Sequence, residues 1–129
     1  MPTYEKTLST ILLLGGKGTR LRSVINDRPK VMAPIKGKPF LEILLDQLIG
    51  FNIKNIIFST GYKSDFIREN IGNKYKNINL MYSAEETPRG TAGGTLLAIK
   101  KYETDNYLIM NGDNFIEFDF KNFYDFHLS

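Results

Sequence analysis

Leu12-Leu13-Leu14-Gly15-Gly16-Lys17-Gly18-Thr19-Arg20-Leu21 is an apolar run that breaks into a glycine-rich, basic loop, and its reading decides the fold. The segment Thr7 to Leu14 alternates too little for a surface strand. It is short and bounded by glycine, so it reads as a strand buried on both faces. A strand of that kind implies an α/β sheet. In such sheets ligands sit beyond the carboxyl ends of the strands, and a loop carrying Gly15, Gly16 and Gly18 there lets backbone N–H groups come close to a phosphate. Lys17, Arg20 and Arg22 add positive charge at the same place.

Two common phosphate loops do not fit. The G-x-x-x-x-G-K-[ST] spacing is absent, and Leu21 stands where the third glycine of the dinucleotide fingerprint would follow Gly16 and Gly18. A glycine-rich strand-to-helix turn without a ligand stays open on the loop alone.

Onward from the loop, Asn26-Asp27-Arg28-Pro29-Lys30 reads as a turn, and Val31 to Ile35 is too proline-bound for a central strand and becomes an extended crossing segment. Lys36-Gly37-Lys38-Pro39 makes a second turn, with Pro39 suited to the first position of a helix. Leu41, Leu44, Leu45, Leu48 and Ile49 then recur at helical spacing until Gly50. Asn55 to Thr60 is a second buried strand. Ser64 caps a short helix through Asn70 with Gly72 as its stop, and Ile78 to Ser83 is a third strand. A polar stretch, Ala84 to Gly90, leads into a third helix carrying Leu96, Leu97 and Ile99. Tyr107 to Met110 is a fourth strand running into Asn111-Gly112-Asp113-Asn114. Alternating strands and helices predict a doubly wound, mainly parallel sheet in a single domain over 1–129. Lys121 to Leu128 begins a helix with Phe123 and Phe126 on one face. Aromatic faces so late in a chain usually meet a later element, so the chain reads as the N-terminal part of something longer.

Composition narrows the function classes. Of 129 residues, 42% are hydrophobic and 24% charged, an ordinary soluble mixture, and the net charge of +3 is spread along the chain among acids. That distribution suits local phosphate binding and argues against a nucleic-acid stripe. The lack of cysteine excludes a disulfide framework, thiolate catalysis and a cysteine zinc cluster, and it is compatible with a cytoplasmic protein. No apolar run reaches membrane-spanning length, and Met1 to Lys6 is not a signal peptide. His127, the single histidine, reads as a surface or helix-packing residue.

Three loops converge at one sheet edge: that after the first strand, that before the third helix, and Gly112-Asp113. A strand-end carboxylate facing a phosphate loop on a neighbouring strand can hold Mg²⁺ against a triphosphate; by itself Asp113 is also an ordinary turn aspartate. Gly15-Gly16-Lys17-Gly18-Thr19-Arg20-Leu21, Pro29-Lys30-Val31-Met32-Ala33-Pro34-Ile35-Lys36-Gly37-Lys38-Pro39, Gly90-Thr91-Ala92-Gly93 and Asn111-Gly112-Asp113, in that order, resemble the sugar-1-phosphate nucleotidyltransferase family over nearly the whole chain. Phrases such as Lys38-Pro39-Phe40-Leu41-Glu42 and Ser59-Thr60-Gly61-Tyr62-Lys63-Ser64 are similar to the guanylyltransferases that make GDP-sugars, those using D-glycero-D-manno-heptose 1-phosphate in particular.

The resemblance implies a Rossmann-like nucleotidyltransferase fold and in-line attack of a sugar 1-phosphate oxygen on the α-phosphorus of a nucleoside triphosphate, with pyrophosphate leaving. It implies that Gly15, Gly16, Gly18 and Thr19 line the phosphates. Arg20 stabilises the leaving pyrophosphate, Lys30 reaches the phosphates from the crossing segment, and Asp113 is a magnesium ligand. Leu12 and Gly15 are placed to contact base or ribose, and the base edge is read by Glu85 with the backbone at Gly90 closing the other side. A carboxylate only accepts hydrogen bonds, and guanine offers adjacent N1–H and N2–H donors, so Glu85 favours GTP; neighbouring Glu86 leaves the register open by one. Family members continue well beyond this length, their later part supplying a second metal-binding aspartate, a lysine for the sugar phosphate and most of the sugar pocket. The alternative from another class is therefore a non-catalytic nucleotide-binding module, or an inactive fragment that needs a C-terminal half or a homo-oligomeric partner.

Overall fold

The computed structural model describes residues 8–14, 24–25, 28–29, 32, 34–60, 64–84, 90–112 and 116–129. The expected first strand is β1, Leu8–Leu13, with every residue from Leu8 to Leu12 buried. It pairs in parallel on both sides, with β6 (Asn55–Thr60) and with β9 (Asn106–Asn111). β8 (Ile78–Ala84) lies parallel on the far side of β6. A short antiparallel strand β7 (Lys74–Tyr75) completes the order β7-β8-β6-β1-β9. The sheet is mainly parallel, as the alternation of elements predicted.

Side-chain alternation along the strands divides the core between two faces. Leu8, Leu12, Ile56, Phe58, Ile78, Leu80, Tyr82 and Leu108 face one way and pack against α1 (Phe40–Gly50), α2 (Ser64–Ile71) and α4 (Phe120–Leu128). Ile11 and Ile57 face the other way against Ala98 of α3 (Gly90–Lys101). This is the doubly wound arrangement. Leu41, Leu44, Leu45 and Leu48 of α1 are all fully buried, each worth about 1.5–3 kcal/mol of apolar transfer.

Several local readings need correction. Pro39 stands one residue outside α1, with φ −56° and ψ 139°, so the helix opens at Phe40. α1 ends at Gly50 as read, although the glycine is not what caps it. The chain continues to Phe51 and turns at Asn52, whose φ of 65° lets its N–H reach the Ile49 carbonyl while Ile53 N–H reaches that of Leu48. That is a Schellman stop built on asparagine, with Leu48 and Ile53 both buried beside it. Pro34–Ile35 (β4) and Lys38–Pro39 (β5) form an antiparallel pair rather than a plain crossing segment and turn. Lys36 and Gly37, at φ 51° and 81°, give it the left-handed two-residue turn that hairpins favour. Val24–Ile25 (β2) and Arg28–Pro29 (β3) likewise pair antiparallel where a turn alone was expected. Gly72, at φ 81°, does follow α2 as its stop.

One helix face differs from expectation. Leu96 of α3 is 58% exposed, so the sheet is met by Ala98 with Ile99 beside it. In α4 the packed stripe is Phe120 and Tyr124, whereas Phe123 and Phe126 are exposed, Phe126 at 82%. Phe120 stacks on Phe51 and Tyr124 on Phe120, Phe118 meets Phe51 edge-on, and Asp119 caps α4 by accepting from Asn122 N–H at 3.1 Å. His127 takes the packing role read for it, stacked on Tyr124 and 3.0 Å from Asn106 Oδ1.

The hydroxyl of Thr10 in the middle of β1 is buried without a hydrogen-bond partner among the described residues, in register between Ile56 and Leu108. An unsatisfied buried hydroxyl costs about 1–3 kcal/mol, and an isosteric apolar group removes that cost. Thr10→Val is therefore expected to raise stability by about 1 kcal/mol in a urea titration; a loss of stability would mean the hydroxyl has a partner in solution.

The described ionisable groups concentrate around Asp46 on α1. Its carboxylate accepts from Lys38 of β5, from Tyr75 Oη at 2.9 Å and from Lys76 Nζ at 3.1 Å. It thereby joins α1 to the β4–β5 and β7–β8 hairpins. Burial alone would raise its pKa, but the hydrogen bonds from Lys38, Lys76 and Tyr75 together hold it below the ordinary value. A depressed carboxyl contributes stability at neutral pH that is lost as pH falls through its folded pKa. Asp46→Asn is expected to cost about 0.5 kcal/mol at pH 7, as suits a partly exposed cluster, and to cost nothing once the pH is low enough to protonate the parent. Thermal midpoints of both proteins across the acid range check this.

Candidate active site at the carboxyl edge of the sheet

The strand order makes one point of the sheet unlike the rest. From β1 the chain winds outward through β6 to β8, then returns by α3 to β9 on the opposite flank of β1. Between β1 and β9 the winding reverses, and outside the carboxyl ends of these strands lies the crevice where open α/β sheets bind ligands.

The geometry of that crevice's floor follows from the ladder. Leu13 stands in register with Asn111 on one side and Ser59 on the other. Pairing continues one residue further, Leu14 N–H donating to Ser59 O at 2.8 Å and Gly112 N–H to Leu13 O at 3.1 Å. Leu14 and Gly112, the last paired residues, therefore end β1 and β9 side by side. Thr60 is in register with Ala84, so the segments opening with Gly61 and Glu85 depart from the same edge. Gly90 is the first residue of α3, which follows the carboxyl end of β8, packs on β1, β6 and β8, and leads into the amino end of β9. The amino end of that helix, with no acidic residue in its first turn, thus lies toward the crevice, and Lys100 and Lys101 sit at its far end.

Among the residues read as site components, the backbone of Gly90 and the whole of Leu12 are described. Leu12 is fully buried in the core, in register between Phe58 and Met110, so its side chain has a packing role. Gly15, Gly16, Gly18, Thr19, Arg20, Lys30, Glu85 and Asp113 lie outside the described residues. What is described is the set of strand ends from which the chain enters those segments. Among the described residues, no group of three or more His, Cys, Asp or Glu side chains could hold a metal ion. Two features of the edge went unread in the sequence. The hydroxyls of Thr60 and Ser83 are buried there without hydrogen-bond partners among the described residues. Gly112 is buried against Leu14 so closely that a Cβ would overlap the leucine's Cδ2; its only sequence signal was its place between a strand and an aspartate.

A family model described as nucleotidyl transferase matches residues 9–129. The chain belongs to the nucleotidyl transferase family. It is 41% identical over 122 residues to D-glycero-alpha-D-manno-heptose 1-phosphate guanylyltransferase of Aneurinibacillus thermoaerophilus, covering 95% of this chain and 53% of that protein. It is 40% identical to the enzyme of the same description from Campylobacter jejuni, covering 87% of this chain and 50% of that one. The crystal structure of HddC from Yersinia pseudotuberculosis superposes with a TM-score of 0.82 at 37% identity, over 93% of this chain and 54% of HddC. HddC has also been solved complexed with GMP-PN. This chain of the nucleotidyl transferase family thus spans about half the length of the relatives it matches. Among the described residues, no helix is long and apolar enough to cross a membrane.

Proposed function

We propose that the chain forms the nucleotide-binding half of a cytoplasmic sugar-1-phosphate guanylyltransferase, which transfers GMP from GTP to a heptose 1-phosphate. The observation that carries this reading is the switch point between β1 and β9, whose described ends, Leu14 and Gly112, lie side by side. The similarity to heptose 1-phosphate guanylyltransferases and to the HddC structure complexed with GMP-PN supports the choice of base and sugar.

Joining two anions is the physical problem, and positioning with charge neutralisation is the answer. Backbone N–H groups at Gly15, Gly16, Gly18 and Thr19 cradle the triphosphate. Arg20 holds the β- and γ-phosphates, so that the electron pair of the breaking P–O bond passes to a pyrophosphate already paired with a cation. Lys30 neutralises the phosphate oxygens from the crossing segment. Glu85 accepts N1–H and N2–H of guanine, and the main chain at Gly90 bounds the base. Leu12 supports the loop from the core. Asp113 offers one hard oxygen donor, which suits a Mg²⁺ that keeps most of its water. Bound there, the ion supplies charge neutralisation on the triphosphate.

Thermal unfolding of the chain with Mg-GTP and, in parallel, Mg-UTP tests the reading, since a ligand of the folded state raises the midpoint according to its affinity. A rise with GTP alone is expected; no rise with either, or an equal rise with both, counts against it. The half-length match favours a second reading in which this chain binds nucleotide without turnover unless the remaining half is supplied. A pyrophosphate-release assay with heptose 1-phosphate separates the two.

A further inference from the structure

We propose that the open edge of β9 and the adjoining face of α4 form one docking surface, and that its occupant is the half of the family's chain that residues 1–129 do not span. This rests on family membership and not on the nucleotide reading. In a mainly parallel sheet the strands are ordinarily covered on both faces, and edges are paired or protected. β9 is the last strand in the order β7-β8-β6-β1-β9, so among the described residues no strand pairs with its outer side. Gly112 N–H points inward to Leu13 O, and alternation along the parallel ladder then turns the N–H groups of Ile109 and Asn111 outward. α3 packs mainly on β1, β6 and β8. Over β9 that face is left uncovered: Ile109 is 47% exposed, whereas Ile11, beside it in register on β1, is fully buried.

The last helix continues the surface. Phe123 and Phe126 are exposed about one turn apart on α4, with Ile116 and Leu128 exposed before and after them. Elsewhere among the described residues only Ile35 and Leu96 are large, apolar and exposed. His127, 3.0 Å from Asn106 Oδ1, ties the last turn of α4 to the start of β9, so helix face and strand edge adjoin. Scattered apolar residues need no explanation, but a cluster beside an unpaired strand edge marks an interface. Length identifies the cover. The chain spans 53% of the Aneurinibacillus relative and 54% of HddC, and chains of that size ordinarily fold around one shared core. The first half therefore keeps a place for the second. A strand added to β9 would accept the outward N–H groups, and an apolar element beside it would cover Ile109 and Phe126.

Residues 1–129 are compared with a chimera in which they replace the matching half of the Aneurinibacillus enzyme. Phe126→Ser and Ile109→Thr are each expected to leave the thermal midpoint of the isolated chain within about 2 °C, as exposed positions do, and to lower that of the chimera by roughly 5–10 °C. Amide exchange at Ile109 and Asn111 is expected to slow at least about tenfold in the chimera relative to Leu108 and Met110, whose N–H groups face β1. Equal midpoint losses in both proteins, or none in either, overturn the proposal. So does a chimera that fails to fold where the isolated chain folds. If the chain folds only when joined, the second half is needed to cover it, which carries the same conclusion, and the chimera's variants are then read against the chimera itself. Light scattering separates the competing occupant. A monomeric isolated chain is expected, and a dimer that Phe126→Ser dissociates assigns the surface to a second copy and overturns the proposal. No readout uses nucleotide, so failure here leaves the nucleotide reading standing, and the reverse holds.

Discussion

Glu85→Gln is expected to weaken Mg-GTP binding by about 10- to 100-fold while changing the weak binding of Mg-UTP by less than about threefold. Guanine presents two adjacent donors, and a carboxylate can accept both in charge-assisted bonds, each stronger than its neutral counterpart by roughly a factor of two. Glutamine keeps one acceptor and turns an N–H₂ group toward a donor, so one bond is lost and a repulsion replaces it. Uracil offers a single donor between two acceptors and gains nothing from the carboxylate. Competition titrations with the two nucleotides measure the ratio directly. Glu86→Gln is the control for register. If it carries the loss instead, the reading of the base edge moves by one residue, and if both nucleotides weaken equally in Glu85→Gln, the carboxylate does not choose the base.

Phe58→Ala is expected to destabilise the chain by about 3–5 kcal/mol, out of a total of roughly 5–15 for a domain of this kind. Phe58 is the largest of the fully buried side chains among the described residues, stands in register between Leu12 and Tyr82, and meets the Tyr82 ring edge-on at 5.2 Å. Its removal leaves a cavity in the face of the sheet that receives α1, α2 and α4, and close-packed neighbours relax only partly into such space. The Tyr82 ring is tied in place from the other side, its hydroxyl donating to Gly72 O at 2.6 Å and Arg68 lying over its face at 4.6 Å. Burial pushes that hydroxyl's pKa up to about 12, so it remains a donor across the usable pH range. The fall in midpoint should be roughly 10–20 °C. A fall of only a few degrees would mean that the sheet face repacks, and that the cavity account of this core is wrong.

Central strands and the first helix were legible because burial on both faces, or on one helical stripe, leaves a pattern in the residues themselves. β1 and β6 each carry a run of apolar residues without alternation, Ile11 to Leu13 and Ile56 to Phe58, and the leucines of α1 repeat at helical spacing wherever the core lies. The failures share another cause. Leu96 is an apolar residue on the exposed side of its helix. Periodicity shows that a face exists without showing which neighbour it meets. Two-residue strands such as β7 carry no periodicity, and the stop at Asn52 depends on a φ that glycine would have advertised but asparagine does not. At the candidate site, the strand ends were readable because each apolar run terminates in glycine or a polar residue. The contact between Gly112 and Leu14 was not, since it joins two adjacent strands and depends on a distance.

The central claim is that guanine nucleotide binds at the carboxyl edge of the sheet, around the switch between β1 and β9. Backbone amide chemical-shift mapping of the labelled chain during titration with Mg-GTP tests it most directly. The account predicts the largest shifts in residues 12–23, 59–63, 84–93 and 111–115, with little change at the opposite edge around Asn52, Lys76 and Thr104. Saturable shifts centred on that opposite edge, or none at millimolar nucleotide, would contradict it.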